Sequence, residues 1–182
     1  MDPQVCWKKY PRQYEETIIT RQNEEVFLRP IKPSDGPLIE ELFARLSPPS
    51  IYFRFLTHMH HLRPELLHHL VHLDYENEFA LAAVVEEKHH DVIIGVCRYV
   101  SSFEPTQAEL AVVVRDDWQG RGVGKELVTR VFKIAKKHGI AMLELRIDPR
   151  NESSVRLFKN MGYSYSYEES MWDVSDRMMI YL

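Results

Sequence analysis

Three glycines at alternate positions, Gly120, Gly122 and Gly124, sit inside the run "VVVRDDWQGRGVGKELVTRVF". A β-branched stretch leads into them and an amphipathic stretch leads out. Glycine has no Cβ, so backbone N–H groups can converge closely on a ligand. The first N–H groups of a following helix lack internal partners, and the helix dipole favours negative charge there. A phosphate or pyrophosphate is the natural occupant. Arg121 and Lys125 add positive charge. Two phosphate loops are excluded by spacing. A G-x-G-x-x-G turn requires glycine at position 125, which is lysine. A G-x-x-x-x-G-K-[ST] loop requires one more residue between Gly120 and Gly124, and Glu126 stands where its hydroxyl belongs. The plainer reading is a tight turn whose glycines serve packing.

Glu109 is the carboxylate of most interest. It lies near the start of the apolar run "AELAVVVR", and period-two alternation puts it on one face with Ala111 and Val113. A carboxylate there is costly unless it is hydrogen-bonded or opens on a cleft. A general base in a cleft is one reading and a solvated strand end is the other. Two histidine clusters, His58, His60 and His61 and then His68, His69 and His72, invite a metal. His68 and His72 share a helix face at i, i+4. No H-E-x-x-H motif occurs and no cysteine lies nearby, so no metal is assigned.

These residues need a strand, a turn and a helix to position them, and the surrounding pattern supplies all three. "EVFLRPI" reads as a strand. "SDGPLIEELFARL" reads as a helix capped by Ser34 or Asp35, with Pro37 in its first turn. A second helix follows "SPPS" and a third runs from about Pro64 to Leu73. "FALAAVVEE" and "DVIIGVCRYVSSF" form a hairpin across "KHHD", and "QAELAVVVR" is the next strand. The helix after the glycines stops at Lys136, Lys137 and Gly139. "AMLELRI" is a strand, and "NESSVRLFKNM" is a helix capped by Asn151 and ended at Gly162. "YSYSYEE" and "RMMIYL" close the chain as two strands. The order implies an α/β (α+β) domain over residues 25–182, a mixed sheet with helices on both faces. Residues 1–24, polar with scattered aromatics, read as an arm packing on the domain or leading into it.

Bulk properties narrow the function. The 182 residues carry a formal charge of −4, which argues against nucleic acid as partner. Two cysteines, Cys6 and Cys97, imply no disulfide framework. No apolar run approaches the ~18 to 20 residues that span a membrane, and the N-terminus lacks a signal-like apolar core. The expectation is a cytoplasmic protein.

"QGRGVG" fits Q/R-x-x-G-x-G/A, and "DPRNESSVRLFKNMGY" fits N-x-x-x-x-x-L/F-x-x-x-G-[FY]. On these segments and the element order, residues 25–182 resemble the GNAT N-acetyltransferase superfamily. "YPRQYEE", "LRPIKPSDGPLIEELFARLSPPSIYFRFL" and "LDYENEFALAAV" resemble the acetyltransferase domain of Pat-type protein lysine acetyltransferases. In many of those the domain is joined to an acyl-CoA synthetase-like region or a cyclic-nucleotide domain, and the 182 residues contain neither. The resemblance implies a GNAT fold: a mostly antiparallel sheet of about six to seven strands, with a splayed strand pair holding acetyl-CoA as co-substrate. It implies that Val112, Val113 and Val114 offer backbone groups to the pantetheine arm. Gln119, Gly120, Arg121, Gly122, Val123, Gly124 and Lys125 would wrap the pyrophosphate, and Asn151 would reach toward the thiol end. Glu109 takes the general base position. Phe158 stands where many relatives carry a tyrosine acid, and Tyr163 is close in sequence.

The expected activity is transfer of an acetyl group to a protein lysine, with acyl-CoA synthetases as family substrates. A small amine or amino acid as acceptor, or a non-catalytic acetyl-CoA-binding module, are the alternatives. The histidine clusters would flank the acceptor entrance, where they could tune access or pH response.

Overall fold

The computed structural model describes residues 9–182. Its strands are β1 (Glu16–Ile19), β2 (Glu25–Pro30), β3 (Glu78–Glu87), β4 (His90–Ser101), β5 (Gln107–Val114), β6 (Met142–Ile147), β7 (Ser164–Glu168) and β8 (Asp176–Tyr181). Its helices are α1 (Gly36–Ala44), α2 (Pro48–Phe55), α3 (Pro64–Val71), α4 (Val123–Lys137) and α5 (Glu152–Lys159). The strands form one open sheet in the order β1-β2-β3-β4-β5-β6-β8-β7. Every neighbouring pair is antiparallel except β5 and β6, which run parallel.

The sheet has eight strands among the described residues, one more than the sequence pattern suggests. The addition is β1, inside the segment read as an arm. Its Glu16 and Thr17 hide the pattern, while Ile18 packs into the core and the strand pairs along β2. The first eight residues of that arm lie outside the described residues.

Sequence signals explain most boundaries. The β3–β4 turn is two residues, Lys88 and His89, both at positive φ (49° and 66°), the twist a tight hairpin needs. Ser47 caps α2 by accepting the Ser50 N–H at 3.3 Å, and Leu56 ends it in the left-handed region. Helix α4 stops at Lys137, with Gly139 at φ +86° beyond it. One cap differs from expectation. The Asp35 side chain does not cap α1. Its buried carboxylate accepts instead from Arg29 (2.6 and 2.9 Å) and from the Lys32 N–H (2.7 Å). Pairing with a buried guanidinium outweighs a cap, because an unpaired charge there is far costlier.

Strand alternation divides the core into two layers. Phe79, Leu81, Ala83 and Val85 of β3 pack with Leu127, Val131 and Phe132 of α4. Ala80, Ala82 and Val84 pack with Ile39, Leu42 and Phe43 of α1, Ile51 of α2 and Val71 of α3. The sheet is thus a fixed platform, clamped between α1–α3 and α4.

Candidate active site

The two edges of β5 differ. Toward β4 it pairs over seven residues, from Gly95–Val114 to Ser101–Ala108. Toward β6 it pairs over three, Gln107–Met142 to Glu109–Glu144, and beyond Glu109 the strands part. The direction of each peptide follows from alternation. Arg115 N–H donates to Ile94 C=O at 2.8 Å, and Ser102 N–H donates to Gln107 C=O at 2.9 Å. Backbone groups of Glu109, Ala111 and Val113 therefore also face β4, while those of Leu110, Val112 and Val114 face the β6 side, where the last ladder pair takes the Leu110 N–H onto the Glu144 C=O and the gap begins beyond it. The Val114 carbonyl accepts from Gln119 Nε2 at 3.0 Å. Of the three valines expected to offer backbone groups, Val112 is the one whose polar pair faces the gap with no partner among the described residues. Val113 spends its pair on the β4 ladder.

The gap opens into a cleft of about 300 Å³. Its walls include Glu109, Leu110, Ala111 and Val112 of β5 and Leu145, Arg146 and Ile147 of β6. Asn151, Ser154 and Phe158 close one end. Phe53, Arg54, Phe55 and Leu56, at the end of α2, lie over it. Sequence reading placed α2 as a helix but gave it no role in the site. A carboxylate holds it there: Asp116 accepts from Ser47 N–H, Ser47 Oγ and Ser50 Oγ at 2.6–2.9 Å. Gln119 Nε2 also reaches Ser50 Oγ at 3.3 Å. The loop after β5 and the roof of the cleft are thus one hydrogen-bonded unit. These bonds hold the Asp116 carboxyl below its ordinary range, although burial works against them.

Glu109 lines the cleft, is exposed, and makes no hydrogen bond or ion pair with any described residue. Its parallel neighbour Glu144 is instead held by Arg177, with two contacts at 3.0 Å. Only Glu109 of these two carboxylates is left open to a substrate proton.

The glycine turn sits at the far end of β5. Gly120 (φ +75°) and Gly122 (φ +98°) adopt backbone that other L residues rarely take. Gly122 is the residue before α4, and no side chain caps the helix's first turn. The first N–H groups of a 15-residue helix, those of Val123, Gly124 and Lys125, are therefore left for an external acceptor. The Val123 side chain is wholly buried, so only its backbone serves this purpose. At Gly124 an added Cβ would make only ordinary contact, 3.5 Å from Val114 Cγ2, so the turn's need for glycine lies at Gly120 and Gly122. Lys125 has no ion-pair partner among the described residues. Arg121 does, since it meets Glu24 at 2.6 Å and lies over the Trp118 ring at 4.6 Å. Its charge is shared with Glu24 rather than aimed freely at the turn.

Both readings of Asn151 coexist. Its Oδ1 accepts from Ser154 N–H (3.2 Å) and Ser153 Oγ (3.0 Å) as a helix cap, and the residue lines the cleft. Phe158 lines it too, almost fully buried, and has no proton to give. Tyr163 packs edge-on against Phe132 of α4 and is not among the lining residues. Among the described residues, no three His, Cys, Asp or Glu side chains are grouped to hold a metal. His68 and His72 stack face to face with centroids 3.8 Å apart. No helix among them is long and apolar enough to cross a membrane.

Comparison with known proteins identifies the fold. The model of the acetyltransferase (GNAT) family matches residues 41–163. An acetyltransferase of Pseudomonas aeruginosa is 32% identical over 118 residues, 65% of this chain and 63% of that protein. The acetyltransferase Pat of Mycolicibacterium smegmatis is 28% identical over 153 residues, 84% of this chain and 45% of that protein. The chain thus spans less than two thirds of either relative. The crystal structure of the GNAT domain of S. lividans PAT superposes with a TM-score of 0.85 at 26% identity. That match covers 96% of this chain and 100% of that one.

Proposed function

The chain belongs to the acetyltransferase (GNAT) family, and from that premise we propose that it acetylates a protein lysine, with Glu109 as general base. The observation that carries this reading is an unpaired carboxylate where β5 and β6 part, next to free backbone groups. N-acetyltransfer is the family's activity and acetyl-CoA its co-substrate. When bound, that molecule supplies an activated acetyl thioester.

The chain's own groups fit it. Uncapped N–H groups of Val123, Gly124 and Lys125, with the Lys125 ammonium, suit a pyrophosphate. The free peptide edge from the Leu110 C=O through Val112 suits the amide-bearing pantetheine arm, strand against strand. Asn151 faces the cleft near the reacting end. A lysine ammonium, with a pKa of about 10.4, is no nucleophile until it loses a proton. Glu109 accepts that proton directly or through a water, and the freed amine attacks the thioester carbonyl. The Val112 N–H donates toward the carbonyl oxygen as its charge grows. No tyrosine lines the cleft, so the thiolate leaves with its proton supplied by water. A thiol pKa of about 8.5 makes that tolerable.

The lysine acceptor rests on the Pat-like relatives. Incubation of the protein and lysate with isotope-labelled acetyl-CoA, read by mass spectrometry, tests it. Labelled lysines on one or a few proteins are expected. Label confined to small amines would replace the acceptor, and no label at all would point to a binding module.

A further inference from the structure

Arg54 is the cation of the cleft that lacks a carboxylate. The protein's most buried arginines each have one: Arg29 meets Asp35 at 2.6 Å, Arg98 meets Glu78 at 3.0 Å, and Arg115 is held by Glu87 and Asp117. Arg146, the other cation lining the cleft, lies 3.6 Å from Asp173. Arg54 makes no hydrogen bond or ion pair with any described residue, Glu109 included. Its guanidinium lies over the Phe55 ring at 4.8 Å. On its other side is an apolar chamber walled by Leu42, Phe43, Leu70 and Val113, with Arg98 behind. Burial, and then the like charge of Arg98, push its pKa down to about 10. The side chain is only partly buried and none of its nitrogens is sealed from solvent, so its donors stand open to a ligand in the cleft.

We infer that Arg54 receives a carboxylate carried by the acceptor close to its reacting amine, so that the preferred lysine has an acidic residue beside it. The inference rests on the lysine acetylation proposed above and names the substrate class within it. Glu109 and Arg54 line one cleft with opposite charges and no mutual ion pair. An acceptor with an ammonium and a nearby carboxylate matches both at once. The planar fork of a guanidinium binds a carboxylate through two parallel hydrogen bonds, so it fixes direction as well as charge. With the carboxylate on Arg54, the amine is turned toward Glu109. The same chemistry could come from an acidic side chain next to lysine in a protein or from the α-carboxylate of a free amino acid.

The test is kcat/KM for matched acceptors with saturating acetyl-CoA. One pair is a blocked peptide with lysine flanked by glutamate and the same peptide with glutamine. The other pair is free lysine and lysine amide. Each is measured with the unaltered protein, Arg54→Gln and Arg54→Lys. The readout is the acid-to-amide ratio within each protein, which does not depend on how much of a variant folds. We expect a ratio of about 10 to 100 for the peptide pair. It should fall to about 1 in Arg54→Gln and stay partly in Arg54→Lys. A ratio confined to free lysine would keep the carboxylate receptor and overturn the protein acceptor. Equal rates for acid and amide, or a ratio that survives Arg54→Gln, would overturn the inference and leave lysine acetylation standing. If no lysine compound is turned over, both fall.

Discussion

The two edges of β5 belong to one strand and do opposite work. Its ladder to β4 runs seven pairs and locks the strand into a sheet clamped on both faces. Its ladder to β6 stops after three pairs, and beyond it the Val112 N–H and C=O have no partner among the described residues. A buried peptide group almost always has a hydrogen-bond partner, so an unpaired run facing a cleft points to a ligand that completes it. The rigid edge makes the open edge possible, because it holds Val112 in extended form without β6.

Substitutions can break this contrast at different depths. Glu109→Gln, at the point where the strands part, should have the largest effect. It should lower kcat by about 10²- to 10⁴-fold while the acetyl-CoA dissociation constant, measured calorimetrically, stays the same. A matched proline pair comes next. Val113→Pro deletes an N–H that serves the closed edge and should cost about 1–3 kcal/mol in urea unfolding. Val112→Pro deletes one that faces the gap, where proline is tolerated. It should weaken acetyl-CoA binding more than it lowers stability, and the reverse order would undo the distinction between the edges. Gly122→Ala forces a Cβ into φ +98°, a strain of about 1–2 kcal/mol, so KM for acetyl-CoA should rise about tenfold with little change in kcat.

The smallest effect concerns the end of the closed edge. There Arg115 bonds Ile94 through its backbone and Glu87 and Asp117 through its side chain. Hydrogen bonds from Arg115 hold both carboxyls below their ordinary values. A depressed carboxyl stabilises the fold above its unfolded pKa of about 4, and that stability is lost as pH falls through the folded value. The stabilisation by this Arg115 network should be constant from pH 7 to 5 and decline below about 4, read as melting temperature against Asp117→Asn. The variant's own decline in acid should be slightly shallower.

Much of this was legible in the sequence because it is local. The hairpin at Lys88 and His89, the stop at Gly139, the cap at Asn151 and the glycine turn are each written within a few residues. Glu109 stood out as a charge in an apolar run, and the structure puts it in the cleft. What was not legible depends on residues far apart. Nothing in "YFRFL" says that α2 roofs the cleft, since that is decided by Asp116, some 66 to 69 residues away. Asp35 looked like a cap because Arg29, six residues earlier, belongs to a different element. Strand β1 escaped notice because an edge strand needs only one apolar face. Val113 could not be told from Val112, because which peptide faces the gap depends on the register with β4. Gly95 likewise read as one glycine in a strand. A Cβ there would come within 3.1 Å of the Val113 carbonyl and 3.3 Å of Leu127, so it lets α4 settle against the closed edge.

Amide hydrogen exchange across β5, resolved by residue with and without acetyl-CoA, tests the open edge most directly. Ala111 and Val113 should be protected in both states, since their N–H groups belong to the β4 ladder. Val112 should exchange fast in the free protein and become strongly protected when acetyl-CoA is added, whereas Leu110, whose N–H is taken by the Glu144 C=O, should be protected in both states. Protection of Val112 equal to that of its neighbours in the free protein, or no change at Val112 on saturation, would contradict the account.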